Sequence, residues 1–215
     1  MKGAWPVSMP VEVYFLKYAF PCAFITLQRG RISQSEFEML ERAAIAGAVV
    51  ARADLERIFA PAMRRLRKLA EKKGYEMWSR ELVAEYYFTN HNRIIDEGEG
   101  DYGNAPEVLR ELCKIFPAVV VRFEQNSLGQ SASHTSVLQG GVQEESHTSM
   151  LLRTFEVDTN SVGGVRAFEA DTNNVGVVVK MPGGKLRAVN TLLVGKLNEG
   201  DRVMVHYGYA CEKLV

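Results

Sequence analysis

The sequence predicts an α+β protein in which a helical N-terminal part precedes a small all-β barrel or sandwich. Apolar residues between positions 11 and 115 recur at mixed spacings of three and four, the period of amphipathic helices. After Phe116 the chain becomes β-branched, and from Leu151 it breaks into short alternating segments with turn residues about every 8–12 positions. These changes divide the chain into a helical domain (1–116), a strand with a linker or hairpin (117–150) and a barrel (151–215).

The composition is that of a globular protein. The chain has 215 residues, of which 47% are hydrophobic and 24% are charged, and this length allows one or two domains. The formal net charge is zero, and the C-terminal part has no basic stripe with interleaved aromatic residues. We therefore expect no nucleic-acid partner.

The cysteines indicate a reducing compartment. Cys22, Cys113 and Cys211 are too few and too widely spaced for a disulfide framework, so we expect a cytoplasmic protein. No two of them form a CxxC pair, which argues against a closed zinc or iron–sulfur site. Cys113 lies in an apolar helical stripe, and we expect its side chain in the core.

One N-terminal segment is apolar enough to raise the question of a membrane span. It reads VEVYFLKYAFPCAFITL, and Lys17 and Pro21 interrupt it before it reaches the roughly 20 apolar residues that a span requires. The charged segment QRGRISQ follows it, unlike the small-residue cleavage site of a signal peptide. We interpret this segment as part of a buried core.

Several residues mark the helix ends. Residues Val11 to Phe20 predict a first helix that ends or kinks at Pro21. The series Ser33-Gln-Ser-Glu36 has the form of a capping box. Asp54 is predicted to cap the following helix, and Gly74 to end the one after it.

The C-terminal part contains a short repeat and then the predicted strands. SHTSVL (Ser133 to Leu138) and SHTSML (Ser146 to Leu151) flank a Gln-Gly-Gly turn, so His134 and His147 either face each other as metal ligands or lie in a Ser/Thr-rich linker. The predicted strands are PAVVVRFE before the repeat and LRTFEVD, VRAFEAD, VGVVVKM, KLRAVNTLL and DRVMVHYG after it.

Residues 162–214 resemble one known family. The segment RAVNTLLVGKLNEGDRVMVHYGYACEKL is similar to the hydrogenase-maturation chaperones of the HypC/HupF family. The similarity is an ordered series of short matches along the segment. They are Val189-Asn190, Leu192-Leu193, Gly200-Asp201, Val203 to His206, Gly208-Tyr209-Ala210 and Lys213-Leu214.

The resemblance implies a fold and a role. The fold would be an OB-like β-barrel with a short C-terminal helix. The role would be that of a non-enzymatic accessory protein or maturation chaperone of a nickel–iron hydrogenase, binding the large subunit or other maturation proteins, with an Fe(CN)2(CO) precursor as its cargo. The alternative is a structural scaffold subunit that kept the barrel and lost iron delivery. The resemblance leaves open whether the protein forms a homo-oligomer.

The family's functional pair is a cysteine after the initiator methionine and a histidine on a barrel strand. His206 matches the histidine, but the segment from about Asp158 to Gly164, which corresponds to the family's N-terminus, has no thiol. Low-valent iron is a soft centre that thiolate suits best. Cys22, directly after Pro21, is the candidate replacement, and the competing interpretation is a buried structural cysteine. The candidate metal ligands are therefore Cys22 and His206.

Strand alternation predicts where His206 faces. Val203, Val205 and Tyr207 share one face of their strand, and His206 lies on the other. If the valines fill the barrel, His206 points outward, where a partner can reach it. We therefore predict a partner-binding surface made of His206, Tyr207, Gly208 and Tyr209.

An enzymatic role has weaker support. His91 with Asp96 and Glu97 is a candidate acid–base or metal-binding set in FTNHNRIIDEGEGDYG. The chain shows no nucleophile motif, no HExxH and no phosphate-binding glycine motif. The Gly-rich acidic stretch is more typical of a solvated loop, and we expect no enzyme.

Overall fold

A computed structural model describes residues 9–123 and 176–214 of the chain. It shows an α+β architecture, with a helical region followed by five strands that close into a ring. The predicted strands LRTFEVD and VRAFEAD and the repeat with His134 and His147 lie outside the described residues.

The helical region follows its capping signals closely. The α-helices are α1 Val11–Ala19, α2 Ala23–Gln28, α3 Gln34–Ala46, α4 Arg52–Ile58, α5 Ala60–Lys73, α6 Arg80–Glu85, α7 His91–Asp96 and α8 Glu107–Cys113. Helix α1 gives way to a 3-10 turn at Phe20–Cys22, which confirms the predicted break at Pro21. Both hydrogen bonds of the predicted capping box at Ser33 are present, and Gly74 is the left-handed C-cap of α5. The predicted cap at Asp54 is wrong, because α4 begins earlier and its N-cap is Ala51.

The ring is a mixed sheet with the neighbour order β1-β2-β3-β5-β4, closed by pairing of β1 with β4. Strands β3 and β5 pair in parallel, and all other neighbours are antiparallel. The strands are β1 Ile115–Phe123, β2 Gly176–Lys180, β3 Leu186–Asn190, β4 Arg202–His206 and β5 Tyr209–Leu214.

The two faces of the ring pack against different partners. Val203 and Val205 of β4 belong to an apolar cluster made of residues from the ring alone. Met204 of β4 and Cys211 of β5 instead join the large cluster built by the helices. Because successive strand residues point to opposite faces, the first set fills the ring and the second set faces the helical region.

The predicted C-terminal helix is wrong. Residues Tyr209–Leu214 form β5, which pairs with β4 from Arg202↔Leu214 to His206↔Tyr209. The two-residue connection consists of Tyr207 and Gly208, whose φ angles are 47° and 78°. Two successive positive φ angles are typical of the type I′ turn that joins tight hairpins. This turn returns the chain along β4, so the segment pairs as a strand despite its helix-forming Glu and Lys.

The apolar N-terminal segment is buried in the protein. Val13, Phe15 and Leu16 of α1 lie in the core. Within residues 9–123 and 176–214, we find no helix with the length and apolar character needed to cross a bilayer.

Candidate functional site between the helices and the ring

Cys22 and His206 meet where the helical region covers the ring. Cys22 Sγ lies 3.5 Å from His206 Nε2, although the two residues are 184 positions apart in the chain. Cys22 ends the 3-10 turn Phe20–Cys22, which contains Pro21, so the thiol lies outside the regular helix just before α2. His206 is the last residue of β4. The structure thus brings together the two residues predicted from the sequence as candidate metal ligands.

The tautomer of His206 is set by the main chain of α1. His206 Nδ1 lies 2.7 Å from the carbonyl oxygen of Tyr18, and a carbonyl can only accept, so Nδ1 carries the proton and donates. Burial lowers the pKa of His206 to about 4, and the ring is therefore neutral at neutral pH. Its Nε2 consequently presents a lone pair toward the Cys22 sulfur.

His206 points away from the ring interior as predicted, but the prediction that it is accessible is wrong. Its exposed fraction is 1%. The Tyr87 ring centroid is 6.4 Å from the imidazole and the His91 centroid is 5.0 Å away. Alternation along a strand predicts the face on which a side chain lies, but it carries no information about which other element covers that face.

The other members of the predicted partner surface are only partly accessible. Tyr207, Gly208 and Tyr209 are each half-buried. Tyr209 packs edge-on against Phe20, with ring centroids 5.9 Å apart. The tip of the β4–β5 hairpin therefore borders the helical region.

A second thiol adjoins the pair. Cys113 is buried, as predicted, and its thiol interacts with that of Cys22 strongly enough to shift the pKa of both. Two contacts hold the end of α8 beside β4. Ile115 pairs with His206 across the β1–β4 ladder, and Tyr207 N donates to Leu112 O at 3.0 Å. The interaction between the two thiols, followed by burial, raises the pKa of the Cys22 thiol, whereas the same interaction lowers the pKa of the Cys113 thiol. His206 Nε2, 3.5 Å away, lies within reach of the Cys22 thiol proton.

His91 belongs to this buried region and not to a solvated acid–base set. It is 4% exposed, and its Nδ1 is buried without a hydrogen-bond partner. Asp96 and Glu97 pair elsewhere, with Lys114 at 2.7 Å and Arg93 at 2.7 Å respectively. A π-helical turn at Tyr86–Asn90 directly precedes His91, and such turns are frequent at functional sites.

Glu212 is a buried carboxyl that the sequence analysis missed. Tyr18 Oη donates to Glu212 Oε2 at 2.5 Å. Glu212 lies near the C-terminal end of β5. Burial of its carboxyl raises the pKa of Glu212 to about 7. Tyr18 therefore contacts the ring twice, through its hydroxyl to Glu212 and through its carbonyl to His206. Strand alternation does not predict this contact, because the register shift between Met204 and Val205 lets both Cys211 and Glu212 reach the helical region.

The donor set is small. No three His, Cys, Asp or Glu side chains converge to hold a metal ion in the part of the chain that the structure describes. A bare zinc ion generally takes three or four protein ligands. A Cys–His pair supplies two, so it suits a metal complex that brings further ligands of its own.

The comparisons with known proteins add no relative. No protein-family model, curated protein or solved structure matches the chain.

Proposed function

We propose that this protein is an accessory factor or maturation chaperone of a nickel–iron hydrogenase, and that Cys22 and His206 bind its iron precursor. The proposal rests on the resemblance of residues 162–214 to the HypC/HupF family. In this proposal the ring is the family's OB-like barrel, which its five-stranded closure supports.

The observation that carries the proposal is the 3.5 Å contact between Cys22 Sγ and His206 Nε2. The resemblance implies a thiol–imidazole pair, and the segment that corresponds to the family's N-terminus has no thiol. Cys22 supplies the missing thiol from the helical region. The Nδ1–H bond to the Tyr18 carbonyl orients the ring in the way that partners of ligating histidines usually do.

The chemistry of the pair matches an iron fragment that carries carbon monoxide and cyanide. Thiolate is a soft donor, which suits a low-valent iron centre. The fragment would bring the remaining ligands itself, so two protein donors suffice. The Cys22 proton must leave when the thiolate binds metal.

One observation favours the scaffold alternative. His206 is 1% exposed, and transfer of a metal fragment from so enclosed a position requires the helical region to move. A scaffold subunit would keep this arrangement without releasing anything.

The test is affinity purification of the tagged full chain from its native host, with Cys22→Ala, His206→Gln and the matched control Cys211→Ala. We expect mass spectrometry to find an immature hydrogenase large subunit. Iron analysis and infrared bands of bound CO and cyanide should be present in the wild type and the control, and lost in the first two variants.

The outcomes separate the two roles. A subunit that stays in the mature complex at fixed stoichiometry, without iron, supports the scaffold. Purification that yields no hydrogenase component contradicts both versions of the proposal.

A further inference from the structure

A groove of about 350 Å³ lies on the ring, away from the site described above. It is lined by Pro117 to Val119 of β1, by the β2–β3 turn Met181 to Gly184, and by Lys180 and Arg202. Val119 is 39% exposed, so the groove is open to solvent. Its lining comes entirely from the ring and includes neither of the two candidate metal ligands.

The register of the strands builds one side of this groove as a row of outward-facing side chains. Val119 lies opposite Arg202 of β4 and opposite Lys180 of β2, and Lys180 lies opposite Leu186 of β3. Directly opposite residues on neighbouring strands share a face of the sheet. Ala118, which precedes Val119, belongs to the cluster that fills the ring, so the row points outward. Cationic and apolar side chains therefore alternate along the row.

The charge of the groove has a single sign. Among the described residues that line it, Lys180 and Arg202 are the charged ones, and the others are apolar side chains or glycines. Neighbouring strands are about 4.8 Å apart, so the two cations stand roughly 10 Å apart across β1, and their long side chains can reach the space above Val119. A carboxylate placed there would complement both charges.

The same lining disfavours two other anionic partners. Single-stranded nucleic acid binds by stacking its bases on aromatic side chains, and the described residues of the groove include no aromatic ring. Attraction to an anionic membrane surface typically takes a cluster of roughly four to eight cations, more than the groove supplies. Val119 and Leu186, which are 39% and 56% exposed, instead offer apolar contacts beside the cations.

We propose that this groove is a docking site for an acidic segment of a partner protein. Carboxylates of the segment pair with Lys180 and Arg202, and an apolar side chain between them packs on Val119. The inference stands whether or not the protein serves a hydrogenase, because it uses only the outer surface of the ring. Arg202 and His206 are the two ends of β4, so the groove lies roughly 13 Å along the strand from the buried imidazole.

The probe is a fluorescein-labelled peptide with the core Glu-Leu-Glu between serine residues, titrated into the purified full chain and followed by fluorescence anisotropy. We expect saturable binding that weakens with added sodium chloride, because salt screens exposed charges. The matched peptide with the core Gln-Leu-Gln should bind about tenfold more weakly, since it cannot form either ion pair.

Charge reversal locates the site on the protein. Lys180→Glu and Arg202→Glu should each weaken binding of the Glu-Leu-Glu peptide by about tenfold or more, through loss of an ion pair and new repulsion. Lys196→Glu is the matched control, because it makes the same charge change on the exposed β3–β4 connection, and it should bind as the wild type does. The double variant Lys180→Glu/Arg202→Glu should instead bind a peptide with the core Lys-Leu-Lys.

Backbone amide chemical shifts of the labelled wild type give a second readout that requires no variant. We expect the Glu-Leu-Glu peptide to shift the signals of Val119, Met181 and Gly184. The proposal is overturned if the wild type shows no saturable binding, if the shifts fall on another surface, or if Lys196→Glu loses as much affinity as Lys180→Glu. Binding of an oligothymidylate or of anionic vesicles that depends on Lys180, without binding of the peptide, also overturns it.

Discussion

Glu212 shows how one residue near the end of the sheet can couple the two parts of the protein. Its carboxyl is 4% exposed and accepts from Tyr18 Oη. Lys17 and Arg80 lie near enough to favour its ionised form, but burial outweighs them and raises its pKa to about 7. The carboxyl therefore keeps its proton in the folded protein at pH values where the unfolded chain has lost it.

We predict that Glu212→Gln changes the pH dependence of stability. A raised carboxyl pKa stabilises the fold fully below the unfolded value of 4.5, and the contribution is lost as the pH rises to about 7. The loss amounts to at most about 3 kcal/mol. The variant keeps an acceptor for Tyr18 and should lose this dependence.

The measurement is urea unfolding of wild type and variant at several pH values. The lowered pKa values of His206 and His91 act in the opposite direction in both proteins, so the difference between the two curves isolates Glu212. A difference that stays constant between pH 4.5 and 7 contradicts the prediction.

The β4–β5 hairpin is the element on which the site depends, because its turn follows His206 directly. Gly208 has a φ of 78°, and a Cβ added there would meet no atom within 4 Å. A larger side chain would therefore fit at this position. Glycine is favoured there because the backbone has a positive φ angle, which residues with a Cβ rarely adopt.

We predict that Gly208→Ala lowers the free energy of unfolding by about 1–2 kcal/mol, the cost of a left-handed conformation for a residue with a Cβ. Gly208→Asn should lose less, since asparagine tolerates this region. Chemical denaturation of both variants measures the effect. An equal loss of unfolding free energy in the Gly208→Ala and Gly208→Asn variants would show that the turn does not keep its left-handed conformation.

At the scale of the whole molecule, the helices and the ring share one core. Met204 and Cys211 of the ring belong to the same apolar cluster as Tyr14 and Leu16 of α1. We therefore predict that the two parts unfold together. Leu197→Ala, within the ring's own cluster, should cost about 2–5 kcal/mol.

The measurement asks whether Leu197→Ala also destabilises the helical region. Trp78 lies there, and its fluorescence in a Trp5→Phe background reports on that part alone. We expect the fluorescence and far-ultraviolet transitions of Leu197→Ala to shift together. A Trp78 transition that does not move would mean that the helices and the ring unfold independently.

Local patterns in the sequence predicted much of the fold but little of the site. The capping box at Ser33 and the alternation around Val203 depend on neighbours along the chain, so they were predictable. The contact of Cys22 with His206 depends on how α1 packs over β4, and no periodicity encodes that packing. The C-terminal helix was expected from the family resemblance, and the structure instead has a hairpin whose turn residues, Tyr207 and Gly208, both have positive φ angles.

The order of the elements along the chain has a consequence for biosynthesis. Strand β4 follows β1, β2 and β3, yet it carries His206 and closes the ring against β1. During translation Cys22 emerges early and remains without its imidazole until β4 has left the ribosome. A polypeptide that stalls or is cut before β4 thus lacks the Cys22–His206 contact and cannot close the ring against β1.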